Sequence, residues 1–409
     1  MKLLIVSPLA YYPGCGNGGG LICFRLLQGL ASRHQIIFVG FSDLGAAEQA
    51  QAREALQQLC MAVHILPVPN KKAFGRLRAR VHQWLGGPPV DADAFDAPEM
   101  HATLADVLAR ERPEIAILQF PYMAQYAGDL RGSVPVLMDV QDVFFVSRLR
   151  EYARQLSRWT RLKRLVAWVA WTRHEMKWYR RCDRLMALTE QDCAALGALV
   201  PDVPAFVNHP AIAERPFMAL PPSAPRLVGF AGSFDHPPNR DALLWLGTEI
   251  APLLTALHPG VQIVVAGRSI PDALRARLHP AVHCLGYVAD YDSFMRSCCV
   301  LLAPLRSGGG IKIKVLDALA CARPVVTTPI GAEGIALGPE HGLQVGRSAA
   351  ELAALVAAHL VDPAPGAAAA ACGAQAVASR FGVAGAVACL EQEFVALRLA
   401  HGAAAQVNG

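Results

Sequence analysis

Short uninterrupted apolar runs alternate with longer stretches whose apolar positions recur every three or four residues along the 409-residue chain. In the first half the runs 3–7, 35–41, 63–68, 115–120 and 134–139 are rich in β-branched residues. They predict strands buried on both faces. The stretches between them, such as 21–33, 46–59 and 101–110, carry helical spacing. A long helical stretch is predicted over 148–184 and another strand over 186–189. The Pro-dense segment from Pro210 to Pro225 then reads as a stiff linker. Beyond it the alternation restarts, with strands at 227–231, 262–266, 282–285, 300–304 and 324–328. Helices are predicted at 240–257, 272–278, 293–297 and 312–322, and an Ala-rich helical tail follows from Gly366. The expected fold class is therefore α/β, with two Rossmann-like domains whose parallel sheets face a central cleft. The expected boundaries are an N-terminal domain over 1–212, a linker over 213–225 and a C-terminal domain over 226–375. Helices over 376–409 are expected to pack back toward the first domain.

Length supports two large domains, at about 150 residues each. The 53% hydrophobic and 17% charged residues exclude disorder. A net charge of +5 is too small to argue for nucleic acid. The 11 cysteines are odd in number, scattered, and form no Cys-x-x-Cys pair. Reduced thiols in a cytoplasmic protein are expected, with no metal site and no cofactor. The first ten residues imitate a short secretory signal, but Pro8 breaks the apolar run, so a first buried strand is the better reading. No apolar run reaches the ~18 residues needed to span a bilayer.

In open parallel sheets ligands bind beyond the carboxyl ends of the strands. The loop Pro8–Gly20 contains Gly14, Gly16, Gly19 and Gly20 before a predicted helix. Gly14-x-Gly16-x-x-Gly19 formally matches a dinucleotide fingerprint, with Asp43 near the end of the next strand. Yet six residues including Pro13 separate strand from glycines, whereas that fingerprint turns directly off its strand. Gly19 and Gly20 are candidates for touching a phosphate or sugar; a loop without a ligand is the alternative.

The richest segment runs from Ala303 to Pro329. A predicted strand ends at Pro304, Gly308, Gly309 and Gly310 follow, and a helix opens with Lys312 and Lys314. Helix N-terminal N–H groups and the helix dipole attract a diphosphate. Arg306 with Lys314 or Lys312 can neutralise charge growing on a departing phosphate. Asp317 shares a helix face with Lys314 by i, i+3 spacing and can accept from ribose hydroxyls. The alternative is a solvated cationic helix start with Asp317 as a salt-bridge partner.

This segment, Arg306-x-Gly-Gly-Gly-x-Lys-x-Lys314-Val-Leu-Asp317-Ala-Leu-Ala-x-x-Arg-Pro-Val-Val-x-Thr-Pro-x-Gly-Ala-Glu333-Gly, resembles the donor-binding signature of glycosyltransferase family 4. These are group 1 retaining enzymes of GT-B fold. Gly229-Phe-Ala-Gly232-Ser233-Phe, Val264-Val-Ala-Gly-Arg268, Leu285-Gly-Tyr-Val-Ala-Asp290, Leu137-Met-Asp139-Val-Gln141-Asp142 and the run from Asp183 to Asp192 fit the same family. The resemblance implies sugar transfer from a nucleotide-diphosphate donor, with Gly232, Ser233, Asn239 and Arg268 also on the donor side. It covers about residues 1–390. There are departures. The family's pair of glutamates separated by seven residues falls on Gly309 and Asp317. Its Arg and Lys after the first strand of the second domain are absent, which shifts the charge burden to Arg306 and Lys314. Its N-domain His is replaced by Gln141. A branch concerned with exopolysaccharide is similar in these features.

Asp139 and Asp142 follow a strand end; either can position or deprotonate an acceptor hydroxyl, or merely cap a loop. Asn239 either contacts donor phosphate or caps a helix. Glu333 sits near the ribose or on the surface. His34, His101 and His209 lack metal-ligand spacing and read as ordinary residues.

Twelve Lys or Arg residues lie between Arg148 and Arg184 against Glu151, Glu175 and Asp183, interleaved with Trp159, Trp168, Trp171 and Trp178. Lys71 to Trp84 repeats the theme with five basic residues plus Phe74, Leu77 and Val81. Such helices lie on anionic lipid or bury their Trp face as core. The expectation is a metal-independent retaining glycosyltransferase acting on a glycan or lipid-linked glycan from a UDP- or GDP-linked donor. It would be cytoplasmic, with peripheral contact to the inner membrane face open and no nucleic-acid partner. The catalytic candidates are Arg306, Lys314 and Asp142. Alternatives are a non-catalytic nucleotide-sugar-binding or scaffold protein, a UDP-sugar epimerase and, remotely, a nicotinamide oxidoreductase.

Overall fold

The computed structural model describes residues 1–15, 18–69, 73–153, 157–215 and 226–407. Gly16, Lys71, Lys72, Arg154, the linker over 216–225 and the side chains of Phe74 and Leu77 lie outside the described residues. Two compact units are present. The first comprises Met1–Cys15, Cys23–His209 and the chain from Ala386 onward; the second comprises Pro210–Gly385 together with residues up to Ile22 that follow Cys15.

The first unit holds a seven-stranded sheet of β1 (Lys2–Ser7), β2 (Gln35–Ser42), β3 (Ala62–Pro67), β4 (Ile115–Gln119), β5 (Val136–Val140), β6 (Arg184–Ala187) and β7 (Ala205–Val207). Their order is β3-β2-β1-β4-β5-β6-β7, and every pairing is parallel. Successive side chains of a strand point to opposite faces. Leu3 and Ile5 are as buried as Leu4 and Val6, so both faces of the sheet are covered. On one face Leu4, Val6, Ile37 and Val39 join Met100, Leu104 and Val107 of the helix Pro98–Glu111 in a single core. Burial on both faces is what the uninterrupted apolar runs encode.

β6 ends two residues earlier than the expected 186–189. Thr189 leaves the ladder to cap the helix Glu190–Leu199, accepting from the Asp192 N–H at 3.0 Å. The stretch 148–184 is not one helix but two, Phe144–Ala153 and Arg158–Tyr179. Ser157 opens the second, its hydroxyl accepting from the Thr160 N–H at 3.3 Å.

The second unit holds a six-stranded sheet of β8 (Leu227–Ala231), β9 (Gln262–Ala266), β10 (Val282–Gly286), β11 (Cys298–Ala303), β12 (Val325–Thr327) and β13 (Leu343–Val345). The order is β10-β9-β8-β11-β12-β13, again parallel throughout. Val228, Phe230, Val300 and Leu302 pack with Leu243, Leu246, Ile250, Leu352 and Val356. The helix expected at 240–257 starts at Pro237, where the first-turn prolines cost no hydrogen bond. A π turn over Leu246–Ile250 interrupts it before Ala251–Leu257. In each unit the strand order reverses once, at β1/β4 and at β8/β11. Crevices open beyond the carboxyl ends of strands at such switch points. All 11 cysteines are free thiols.

Candidate functional site

At the switch point of the second unit, β8 runs into Gly232 and Ser233, and β11 runs through Pro304 into the glycines. Gly308 has φ +115° and Gly310 φ +62°. Both lie in the region L side chains disfavour, so the turn that brings the chain to the helix Ile313–Ala320 depends on glycine. Lys312 is the residue just before that helix. It is buried, and its ammonium donates to the Gly309 carbonyl at 3.0 Å and to that of Gly310. Lys312 therefore closes the glycine turn from inside.

Lys314, in the first helical turn, points instead to the turn that follows β8. Its Nζ donates to Asn239 Oδ1 at 2.6 Å. Asn239 Nδ2 donates in turn to the Ser233 carbonyl at 2.6 Å. Asn239 does not cap its helix as one reading expected: His236 is the N-cap residue, and Asn239 sits inside the turn. The Lys314 ammonium also lies 5.0 Å from the centre of the Phe230 ring. Burial, and secondly the Lys312 charge, push its pKa down from 10.5 to about 7. A desolvated amine held by the neutral Asn239 amide is well suited to an arriving anion.

Gly232 fits this arrangement closely. A Cβ there would stand 2.8 Å from both Lys314 Nζ and Asn239 Nδ2. Gly232→Ala is thus expected to displace the Lys314–Asn239 pair and weaken UDP binding by roughly tenfold or more, the worth of one charge-assisted hydrogen bond. Calorimetric titration with UDP checks this; unchanged affinity would show the pair takes no part in binding.

The remaining donor-side candidates separate. Arg306 is exposed and binds Asp241 in a fork, Nε–Oδ2 at 3.1 Å and Nη2–Oδ1 at 2.7 Å. It lies 4.9 Å from the Trp245 ring centre. Asp317 and Lys314 take different side-chain partners. Asp317 is 2% exposed and accepts from Arg215 Nη2 at 3.0 Å, and Arg215 Nε is 2.9 Å from Asp292. Burial opposes the Arg215 charge, but the two carboxylates outweigh it and raise its pKa. Arg268, two residues beyond β9, lies 4.5 Å from the Tyr287 ring centre. Glu333 is partly buried. Gly19 and Gly20 fall in the first turn of the helix Gly18–Ala31.

In the first unit, Asp139 at the end of β5 is fully buried. Gln119 Nε2 and Gln141 Nε2 approach its two oxygens at 3.4 Å and 2.7 Å, and Tyr11 donates to Gln119 Oε1 at 2.9 Å. Burial pushes the Asp139 pKa up to about 7 against those donors. Asp142 is partly exposed, two residues before the helix Phe144–Ala153. That helix start is held by Glu175, which was not anticipated as a site residue. Its buried carboxylate accepts from the Phe144 and Phe145 N–H groups, both at 2.9 Å, and from the Tyr179 hydroxyl at 3.2 Å. Glu175→Ala would leave two N–H groups without their partner. We expect a stability loss of about 1–3 kcal/mol in urea unfolding of the intact chain. No loss would mean the turn closes on other acceptors. His34 contacts Glu391, His101 lies between Asp96 and Asp129, and His209 Nδ1 donates to the Leu188 carbonyl at 3.2 Å.

Two doubly wound parallel sheets, each with one switch point, give this chain the GT-B fold. It aligns over 97% of its length with the whole chain of Anabaena HepE, solved in complex with UDP and glucose, at a TM-score of 0.65 and 14% identity. Residues 225–362, which include the Lys314–Asn239 crevice, match the family of glycosyl transferases group 1. A phosphatidyl-myo-inositol mannosyltransferase of Mycolicibacterium smegmatis is 30% identical over 143 residues, covering 34% of this chain and 36% of that protein. An uncharacterized 44.6 kDa protein in the cps region of Klebsiella pneumoniae is 28% identical over 127 residues, covering 29% of this chain and 32% of its own. The chain thus spans about a third of the length of these curated relatives.

Proposed function

We propose that the protein is a retaining, metal-independent glycosyltransferase. It would move a sugar from a UDP- or GDP-linked donor to a hydroxyl of a glycan or lipid-linked glycan in polysaccharide synthesis. The observation that carries this reading is Lys314, desolvated at a helix start beside Gly232 and Asn239 within the segment that matches group 1 glycosyl transferases. The UDP and glucose of the HepE complex and the mannosyltransferase relative support the donor class. The cps-region relative supports a polysaccharide product.

In this reading the bond from the anomeric carbon to the diphosphate oxygen breaks, and one from that carbon to the acceptor oxygen forms on the same face. Lys314 and the N–H groups around Gly308–Gly310 take up the charge on the leaving diphosphate, with Arg306 added once a ligand competes with Asp241. Asp317 reaches the ribose only if Arg215 shares it. Asp142 receives the acceptor proton. The free cysteines fit a reducing, cytoplasmic setting.

The fork between Arg306 and Asp241 favours one second reading, a nucleotide-sugar-binding protein without transfer. Incubation with UDP-glucose or GDP-mannose in chelator, with UDP or GDP release as the readout, separates the two. Slow release without acceptor and faster release with one supports transfer. Binding with no release supports the second reading.

A further inference from the structure

The helix Arg158–Tyr179 divides its four tryptophans between two environments. Trp171 is fully buried against Phe144 and Tyr122, Trp168 donates to the Phe145 carbonyl at 2.9 Å, and Trp178 lies under Lys177 and Arg181. Trp159 is 74% exposed. At 100° per residue, Trp159, Leu162, Val166 and Val169 share the side opposite Trp171 and Glu175. Leu162 is exposed, and Val166 and Val169 are only half-buried. Arg158, Arg161 and Lys163 flank this apolar stripe, and all three are exposed.

A second helix, Ala73–Trp84, packs against the first, and the Arg173 guanidinium lies beside Gly86 just beyond it. It contributes Val81 and Trp84, with Leu85 just beyond its end, 52%, 51% and 81% exposed, and the exposed cations Arg78 and Arg80. Arg173 and Lys177 extend the charge along the first helix. The sequence of the two helices has one acid, Glu175, and it is wholly buried. On the neighbouring helix, Glu151 pairs with Arg148.

We infer that this helix pair is a docking surface for an anionic lipid bilayer. Exposed indole and aliphatic side chains ringed by cations suit the boundary between headgroups and acyl chains, where the indole keeps its polar edge wet. A nucleic acid fits less well. It would use the cations and the indole faces, but Val81, Leu85 and Leu162 would gain nothing from it. No single helix among the described residues is long and apolar enough to cross a membrane, so the contact is peripheral. This inference goes beyond the proposed transfer reaction and does not depend on it.

The test is co-sedimentation of the full chain with vesicles of phosphatidylglycerol and phosphatidylcholine, against vesicles of phosphatidylcholine alone. The wild type is expected to bind the anionic vesicles, and less as salt rises. A cation near an anionic surface adds about fivefold to partitioning, so R158Q/R161Q/K163Q is expected to bind about a hundredfold more weakly. W159S/L162S is expected to lose about tenfold or more through apolar area. Both variants change exposed positions only and should keep the wild-type melting temperature and UDP affinity, which separates loss of docking from loss of fold or of the donor site. Failure of the wild type to bind, equal binding to neutral vesicles, or unaltered binding by the variants would each overturn the inference. So would release from vesicles by duplex DNA at equal charge concentration, which would make the surface a general polyanion site.

Discussion

Lys314→Ala is expected to lower kcat/KM for sugar transfer by about 10²–10³-fold, the effect of removing one preorganised donor to a developing anion. The effect is large because the amine is already desolvated and aimed by Asn239, so little reorganisation is needed when phosphate charge grows. The same burial sets a pH dependence. With a pKa near 7 in the free protein, the amine is charged below that pH and neutral above it, whereas a bound diphosphate favours the charged form. UDP binding therefore takes up a proton above pH 7, and affinity is expected to fall as pH rises, by up to tenfold per unit. Calorimetry in buffers of different ionisation enthalpy reads that proton directly. Lys314→Arg stays charged throughout and should flatten the profile even if its affinity is lower. A transfer rate within threefold of wild type for Lys314→Ala would remove Lys314 from the leaving-group role.

The second large effect is structural. Arg215→Met is expected to destabilise the second unit by about 3–5 kcal/mol, because it removes the buried positive charge that faces the Asp317 carboxylate. Asp317→Leu alone should be nearly as damaging, although Asp292 retains part of the Arg215 charge. The double variant should recover a good part of the loss, since a buried ion pair contributes little net stability over a well-packed apolar pair. Urea unfolding of the four proteins gives the coupling. Additive losses would mean that the pair is not a unit. The result also bears on the ribose: an Asp317 committed to Arg215 is a weaker partner for a ligand hydroxyl, and Arg215 becomes the residue that sets its availability.

The central strands were readable because they are buried on both faces, so their apolar runs need no alternation. β7 and β13, three residues each, and the helix Ala349–Val361 escaped notice. A three-residue strand has no period to detect, and an Ala-rich helix has little contrast between faces. At the site, glycines followed by lysines announced a phosphate-binding helix start, and spacing could not say which lysine entered the crevice. The choice depended on backbone carbonyls at Gly309 and Gly310 that capture Lys312 and leave Lys314 for Asn239. Asp241 and Arg215 had no local signal at all. Arg306 meets Asp241 because β8 and β11 are neighbours in the sheet, and Arg215 meets Asp317 across 102 positions. Glu175 looked like one acid in a basic helix. Only the fold shows that it caps the neighbouring helix.

The proposed transfer turns on a diphosphate held at the β8/β11 switch point. Its most direct test is calorimetric titration of the intact chain with UDP, GDP and uridine, in chelator, for the wild type and Lys314→Ala. The expected result is binding of one diphosphate by the wild type, much weaker binding of uridine, and at least tenfold weaker diphosphate binding by the variant. Equal affinity for UDP and uridine, or wild-type affinity in Lys314→Ala, would contradict it.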